Sequence, residues 1–370
     1  MRIAIVVPYI RGIWGGNRIH LELSSYLSTI HEVNNFSYKV YDRIIAEYRK
    51  KLNSNFEYVR LNTADGFEFP YSLKYMYGGL VDFALYKMLR KSNKTKPLDT
   101  IILISSTEGW WLGFLIKKFW KGRKPKVYLF QTDPPLGVEI SFYEKGRSGA
   151  IIRSITNRTF IYFQKYRLKF FDIIFGLSNW TNDIMHNYYG TTPVGKAGGV
   201  DPIFMSPINV KHRFSNGYIV VPTVALDEER KRMIKKLNDD GIDIELFGPV
   251  SIDGMSSHGF LNDEEMINLI GNANALLFLF DYEGFGLVPL ESLSIGTPVI
   301  TEDKQGPGGE LRDNKFVHFI KNYDDLKKEC RKKLSTKLSF DERMEIHASV
   351  GEYSFQRFAE RVDIVIREKL

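Results

Sequence analysis

Asp281-Tyr-Glu-Gly-Phe-Gly-Leu-Val-Pro-Leu-Glu291 follows an apolar, strand-like run from Ala275 to Phe280 and leads into Leu287 to Ile295, whose apolar spacing is helical. Gly284-Phe285-Gly286 is therefore predicted to lie where a strand turns into a helix. A turn of that kind presents free backbone N–H groups and the positive end of a helix dipole, which suits a diphosphate. On a helix eight residues advance about 12 Å and rotate about 80°, so Glu283 and Glu291 are expected to face the same side of that anion site from opposite ends. A carboxylate is an acceptor for vicinal hydroxyls. One Glu for the hydroxyls of a sugar and one for those of a ribose, with a diphosphate between them, is the chemistry of a nucleotide-sugar donor site. The alternative is a surface helix with solvated glutamates and glycines that serve only the turn.

Outward from this stretch, apolar runs of strand composition alternate with amphipathic segments: Ile3–Val7, Tyr38–Ile44, Tyr58–Leu61, Thr100–Ser105, Val127–Phe130 and Ile173–Leu177, and, after Gly217, Tyr218–Val221, Asp243–Phe247, Ala275–Phe280, Pro298–Thr301 and Phe316–Ile320. Alternating β and α at this rhythm predicts parallel sheets covered by helices, here as two doubly wound α/β domains. Gly195-Lys-Ala-Gly-Gly-Val-Asp201 interrupts both patterns and marks the boundary, giving domains 1–197 and 198–352. The final segment 353–370 places Phe355, Phe358, Ala359, Val362 and Ile366 at helical spacing. In open α/β sheets ligands sit beyond the carboxyl ends of the strands, which points to the loops after Val7, Ser105, Phe130 and Phe280.

The chain has 370 residues and 44% hydrophobic content, room for two cores, and its run Ile3–Ile10 lacks the pattern of a signal peptide. No uncharged apolar stretch approaches the roughly 18 to 20 residues that span a bilayer. The single cysteine, Cys330, excludes an intrachain disulfide and a cysteine-based zinc site, and a cytoplasmic location fits. A net charge of +7 hides an asymmetry: residues 1–195 hold 28 Lys and Arg against 15 Asp and Glu, and residues 196–370 hold 23 against 29. The basic half is the one expected to meet an anionic partner.

The stretch Glu283-Gly-Phe-Gly-Leu-Val-Pro-Leu-Glu291, followed by Ile295-Gly-Thr-Pro-Val-Ile300, resembles the E-x7-E signature of the family 4 retaining glycosyltransferases. The resemblance implies the GT-B architecture, two Rossmann-like domains facing each other across a cleft, with the 353–370 helix returning to the first domain. It also selects Gly15-Gly16 as a loop whose backbone approaches the donor phosphate, with Asn17 capping a helix from Arg18, and Gly259-Phe260 as the lining of the nucleotide base. Gly284, Phe285, Gly286 and Leu287 complete the donor site. Where the family carries a histidine that donates to the donor sugar, this chain has Gln131, which cannot take a proton, so Asp133 is the candidate for acid–base work. Gly198 stands where the family's Asn-Gly-Val-Asp linker has Asn.

The family's Gly-Arg element after the second domain's first strand is absent. Arg230 or Lys231 is expected to reach the diphosphate, or else Asp227 with Lys231 and Glu228 with Arg232 form i,i+4 ion pairs on a helix capped by Asp227. Glu108 and Trp110, at the carboxyl end of the fourth strand, are acceptor-side candidates through carboxylate hydrogen bonding and ring stacking, or else a helix cap and a core residue. Residues 145–169 hold Lys145, Arg147, Arg153, Arg158, Lys165, Arg167 and Lys169 with no acid and with apolar residues between, a pattern that fits either a solvated helix or one lying on an anionic membrane.

The expected function is transfer of a sugar from a nucleotide-diphosphate sugar to a hydroxyl of a glycan or lipid-linked acceptor, with Glu283 at the reacting sugar. Retention at the anomeric carbon is implied by the resemblance. No cofactor or metal is expected, since helix N-termini and cations neutralise the diphosphate, and no nucleic-acid readout motif is present. A nucleotide-sugar epimerase of the same fold and a catalytically silent sugar-nucleotide binding protein are the alternatives.

Overall fold

The computed structural model describes residues 1–10, 16–40, 46, 48–50, 52, 55–58, 71–105, 109–132, 161–196, 198–205, 217–224 and 226–369. The chain divides into two compact units, Met1–Leu177 with Thr181–Ala197 and Phe358–Leu370, and Ser178–Trp180 with Gly198–Arg357.

The first unit is a six-stranded parallel sheet of β1 (Arg2–Ile10), β2 (Glu32–Val40), β3 (Asn55–Tyr58), β4 (Thr100–Ser105), β5 (Lys126–Gln131) and β6 (Ile173–Phe175), in the order β3-β2-β1-β4-β5-β6. This is a doubly wound order, reversing between β1 and β4. Ile3 to Val6 and Ile101 to Leu103 are fully buried, as central parallel strands covered on both faces require. The expected strand Tyr38–Ile44 starts earlier, because β2 runs Glu32–Val40 with Arg2 paired to Glu32, and residues 41–44 lie outside the described residues. Its two asparagines hide it from a composition reading. Asn35 is nonetheless fully buried, accepts at its Oδ1 from His20 Nε2 at 2.7 Å, and donates from its Nδ2 to the Asn55 carbonyl at 3.3 Å. β3 begins at Asn55, before the expected Tyr58, and residues 59–61 of that expectation lie outside the described residues.

The first helix, Gly16–Ser28, starts one turn-fraction earlier than expected, so Asn17 is inside it and is not its cap. The helix Phe355–Glu368 buries Phe355, Phe358, Ala359, Val362 and Ile366, the residues whose spacing announced it. Within the first unit Phe358 meets Phe130 edge-on at 6.1 Å and Asp363 pairs with His31 at 2.6 Å.

The second unit is a five-stranded parallel sheet of β7 (Ile219–Pro222), β8 (Ile244–Phe247), β9 (Ala275–Phe278), β10 (Val299–Glu302) and β11 (Val317–Ile320), ordered β11-β10-β9-β7-β8. The order reverses between β7 and β9, so the carboxyl ends of those two strands flank the crevice where open sheets bind ligands. Ile219, Val221, Leu246, Leu277 and Ile300 form its core with Ile234 and Leu237 of the helix Glu228–Asp239 and with Cys330, a buried thiol that burial pushes up to about 12.

Candidate functional site

In the second unit the loop 281–286 joins β9 to the helix Leu287–Ile295 at the switch point. Gly286 takes φ +95° ahead of the first helical residue, a conformation that suits glycine. Pro289 falls in the first turn, where its missing N–H is not needed. The helix is buried from Pro289 to Ile295 and Glu291 is only 6% exposed, so it is not a surface helix with solvated glutamates.

Two details of the expected geometry are corrected. Glu283 precedes the helix instead of riding on it, so helical rotation does not set its direction relative to Glu291. Its own Oε1 accepts from the N–H groups of Phe285 (3.1 Å) and Gly286 (2.9 Å), two of the groups expected to be free for a diphosphate. The next amides, of Leu287 and Val288, have no acceptor among the described residues, as first-turn groups do not. The Gly284 N–H also faces the carboxylate, and Oε2 takes no other hydrogen bond from the described residues. One carboxylate oxygen thus holds the loop. Burial raises the Glu283 carboxyl above its ordinary value, partly opposed by the N–H groups of Phe285, Gly286 and Gly284.

Phe285, expected at the donor, is a core residue at 1% exposure, with its ring 6.3 Å from that of Tyr353. Only its backbone serves the loop. A Cβ on Gly198 would lie 2.7 Å from the Phe285 ring, so a side chain there, such as the Asn of the linker motif that this stretch resembles, would crowd it. The Gly284 carbonyl accepts from Ser178 Oγ at 2.6 Å.

Across the switch point, Asp227 caps the helix Glu228–Asp239 by accepting from the Arg230 N–H at 2.9 Å, as read from the sequence. Arg230 makes a bidentate pair with Glu302, 2.8 Å for both Nε and Nη2, and its Nη1 lies 2.6 Å from Asp227 and 4.0 Å from Asp281. Lys231 pairs with Glu228 at 2.5 Å and not with Asp227. Arg230 is thus committed to carboxylates and Lys231 lies on the helix surface. Burial pushes the Glu302 carboxyl up, but the hydrogen bonds from Arg230 and the charges of Lys304 and Arg230 outweigh it and hold the group below the ordinary range.

The sequence reading missed the end of β10. Lys304 Nζ stands 3.4 Å from Glu302 and 4.9 Å from the centre of the Phe280 ring, and burial lowers its ammonium. Gln305 bonds the 281–283 backbone twice, through Oε1 from the Glu283 N–H (2.7 Å) and through Nε2 to the Asp281 carbonyl (3.0 Å). Applying the strand-end rule to β10 as well as to β9 would have selected both residues.

Gly259, at φ +66° with open space beside it, follows β8, and Phe260 is 83% exposed. An aromatic side chain so open has a free face for stacking. Among the described residues, no three His, Cys, Asp or Glu are grouped to hold a metal ion.

In the first unit, Gln131 ends β5 beside Ser105 with no exposed surface. Trp110 is also fully buried, under the Arg167 guanidinium at 5.8 Å, so this candidate is a core residue and cannot stack on a sugar. Gly16 opens the first helix. Gly15, Glu108 and Asp133 lie outside the described residues, as do residues 145–160 of the basic segment.

Residues 252–352 match the family model described as glycosyl transferases group 1. Over the whole chain the structure is similar to a glycosyltransferase from Rickettsia africae, at 14% identity and a TM-score of 0.69 over 100% of this chain and 98% of that one. The fold is GT-B. The same GT-B fold is seen in the sucrose-phosphate synthase of Thermosynechococcus elongatus (14% identity, TM-score 0.70, 99% and 98% of the two chains). It is seen again in HepE of Anabaena in complex with UDP and glucose (11% identity, TM-score 0.69, 99% of each). By sequence the chain is 27% identical over 126 residues to ORF378 of Acidianus filamentous virus 2, whose name provisionally calls it a glycosyltransferase. That match spans 28% of this chain and 32% of the relative.

Proposed function

We propose that this GT-B protein is a glycosyltransferase that moves a sugar from a nucleotide-diphosphate donor to a hydroxyl acceptor. The observation that carries the reading is the Glu283 loop: a carboxylate with one oxygen fixed by Phe285 and Gly286 and the other open, at a switch point, inside the residues that match glycosyl transferases group 1.

In this reading Glu283 Oε2 accepts from a hydroxyl of the donor sugar and the buried Glu291 fixes the ribose. The Leu287 and Val288 amides and the helix dipole face the diphosphate, Lys304 adds a cation, and Phe260 stacks on the base. Charge developing on the departing diphosphate as the anomeric bond breaks is what these groups stabilise. Retention of anomeric configuration is proposed on the resemblance of the 283–291 stretch to family 4 alone. We take the helix start and Lys304 as sufficient for a metal-independent reaction, so turnover persists in a chelator; loss that magnesium restores would overturn that point.

The test is a thermal-shift panel of nucleotide sugars followed by product analysis, because a ligand that binds only the folded state raises the unfolding temperature. Transfer to an acceptor supports the reading; an epimerised donor, or one bound and returned unchanged, assigns the chain to the corresponding alternative. Glu291→Gln is expected to weaken UDP and UDP-sugar together by roughly tenfold, the loss of one charge-assisted hydrogen-bond pair, whereas Glu283→Gln weakens chiefly the sugar-dependent part. Equal losses of bare UDP affinity would remove that division of roles.

For the acceptor we propose a lipid-linked glycan met at an anionic membrane surface, with the protein on the cytoplasmic face. The described end of the basic segment favours it: Tyr162, Phe163 and Tyr166 are 71%, 51% and 42% exposed among Lys165 and Lys169. Among the described residues no helix is long and apolar enough to cross a membrane.

A further inference from the structure

Gln305 is the single non-glycine residue with positive φ among the described residues, at +50°. Glycine would adopt that conformation freely, and a strained backbone persists where the surroundings impose it, commonly at ligand sites. What the surroundings gain at position 305 is visible. The side-chain amide uses both its ends on the loop before the helix Leu287–Ile295, accepting from the Glu283 N–H and donating to the Asp281 carbonyl. The next residue, Gly306, donates its N–H to the Glu283 carbonyl at 3.1 Å. Both backbone groups of Glu283 are thereby held by consecutive residues of one neighbouring turn.

That turn also sits against the loop too closely for any side chain. A Cβ on Gly306 would lie 2.4 Å from the Phe285 nitrogen and 2.5 Å from the Gly284 carbonyl group. Glutamine supplies both a donor and an acceptor at this reach, whereas glutamate lacks the donor and asparagine is one methylene shorter.

We propose that Gln305 is a positioning residue for Glu283, clamping its backbone so that Oε2 stays directed at the ligand while Oε1 holds Phe285 and Gly286. This rests on the sugar-nucleotide reading of the same loop. The clamp acts through Glu283 and touches no substrate.

The test uses the full chain with Gln305→Gly, which removes the amide and relieves the backbone, and Gln305→Glu, which keeps length and acceptor. Amide hydrogen exchange over residues 281–286 is expected to rise at least tenfold in both variants, with the unfolding temperature of Gln305→Gly unchanged or higher. A 13C-carboxyl titration, with the Glu283 signal assigned by its loss in Glu283→Gln, is expected to show the Glu283 midpoint moving down toward that of an exposed glutamate once the clamp is lost. With UDP and UDP-glucose as probes, the ratio of their affinities collapses in both variants while affinity for UDP alone holds. Unchanged exchange, or an unmoved midpoint, overturns the proposal, as does an equal loss of both ligands. If wild type binds neither probe while exchange and titration change as expected, the clamp stands and the sugar-nucleotide reading falls.

Discussion

Glu283 and Glu302 respond to their surroundings in opposite directions, and the difference separates the group proposed to meet the donor from the one paired with Arg230. Burial holds the Glu283 carboxyl above its ordinary 4.5, so the folded chain binds that proton more tightly than the unfolded chain does. Stability is then lost as pH rises from 4.5 through the raised folded value, and the full deficit remains above it. Glu283→Gln carries no charge and escapes this, so it is expected to unfold at a higher temperature than wild type near pH 8, with the gap closing as pH falls toward 4.5. A wild type more stable than the variant at every pH would show that the Phe285 and Gly286 amides outweigh burial. Glu302 is the reverse case: Arg230 and Lys304 hold its carboxyl down, so its contribution is complete above 4.5 and is lost as pH falls through the lowered value. Arg230→Ala, which strands Glu302 and Asp227, is expected to cost about 2 kcal/mol at neutral pH and to flatten the acid limb of the stability curve. Because Arg230 already spends its donors on these carboxylates, UDP affinity should survive that substitution; a hundredfold loss would return Arg230 to the diphosphate.

How one element approaches another explains what sequence reading reached and what it did not. The strand–turn–helix around Gly284-Phe285-Gly286 was legible because glycine, apolar run and helical spacing are local signals, and the same holds for the buried face of Phe355–Glu368. The start of β2 was missed because Asn34 and Asn35 look unlike strand, and only pairing with β1 and the His20 contact make them so. Trp110 was ambiguous for a similar reason: a tryptophan at a strand's carboxyl end reads alike as sugar platform or core until its burial is known. The strand-end rule applied to β10 would have selected Gln305 as a position, but its role was out of sight, since it lies in reaching a loop 22 positions earlier in the chain. Gly198 was noticed as a departure from the family but not understood, and the ring of Phe285 supplies the reason. Gly198→Asn, the family's own residue, is therefore expected to destabilise this chain by about 2 kcal/mol, as overpacking does. Phe285→Ala is costly alone, yet the two together should lose less than their sum, and strict additivity in a double-mutant cycle of denaturant midpoints would show that Asn fits without touching the ring.

The charge asymmetry along the chain carries the last expectation. Residues 1–195 have an excess of 13 basic over acidic residues, while the remainder has an excess of 6 acidic ones. An anionic surface therefore attracts one half and repels the other, which orients the protein as well as binding it. Each Lys or Arg that reaches such a surface contributes about 1 kcal/mol, screened within a Debye length, so a few contacts hold a protein weakly and reversibly. Tyr162, Phe163 and Tyr166 add a component that salt does not screen, because exposed rings partition into the interface. Binding should thus have two parts that different substitutions remove. Co-sedimentation with anionic vesicles at low salt is expected to be strong for wild type, reduced severalfold by Lys165→Gln with Lys169→Gln, and left with a steeper salt dependence by Tyr162→Ser with Phe163→Ser. Neutral vesicles should retain little of any variant. If wild type ignores anionic vesicles at low salt, the basic half serves a soluble anion instead, and the lipid-linked acceptor is excluded with it.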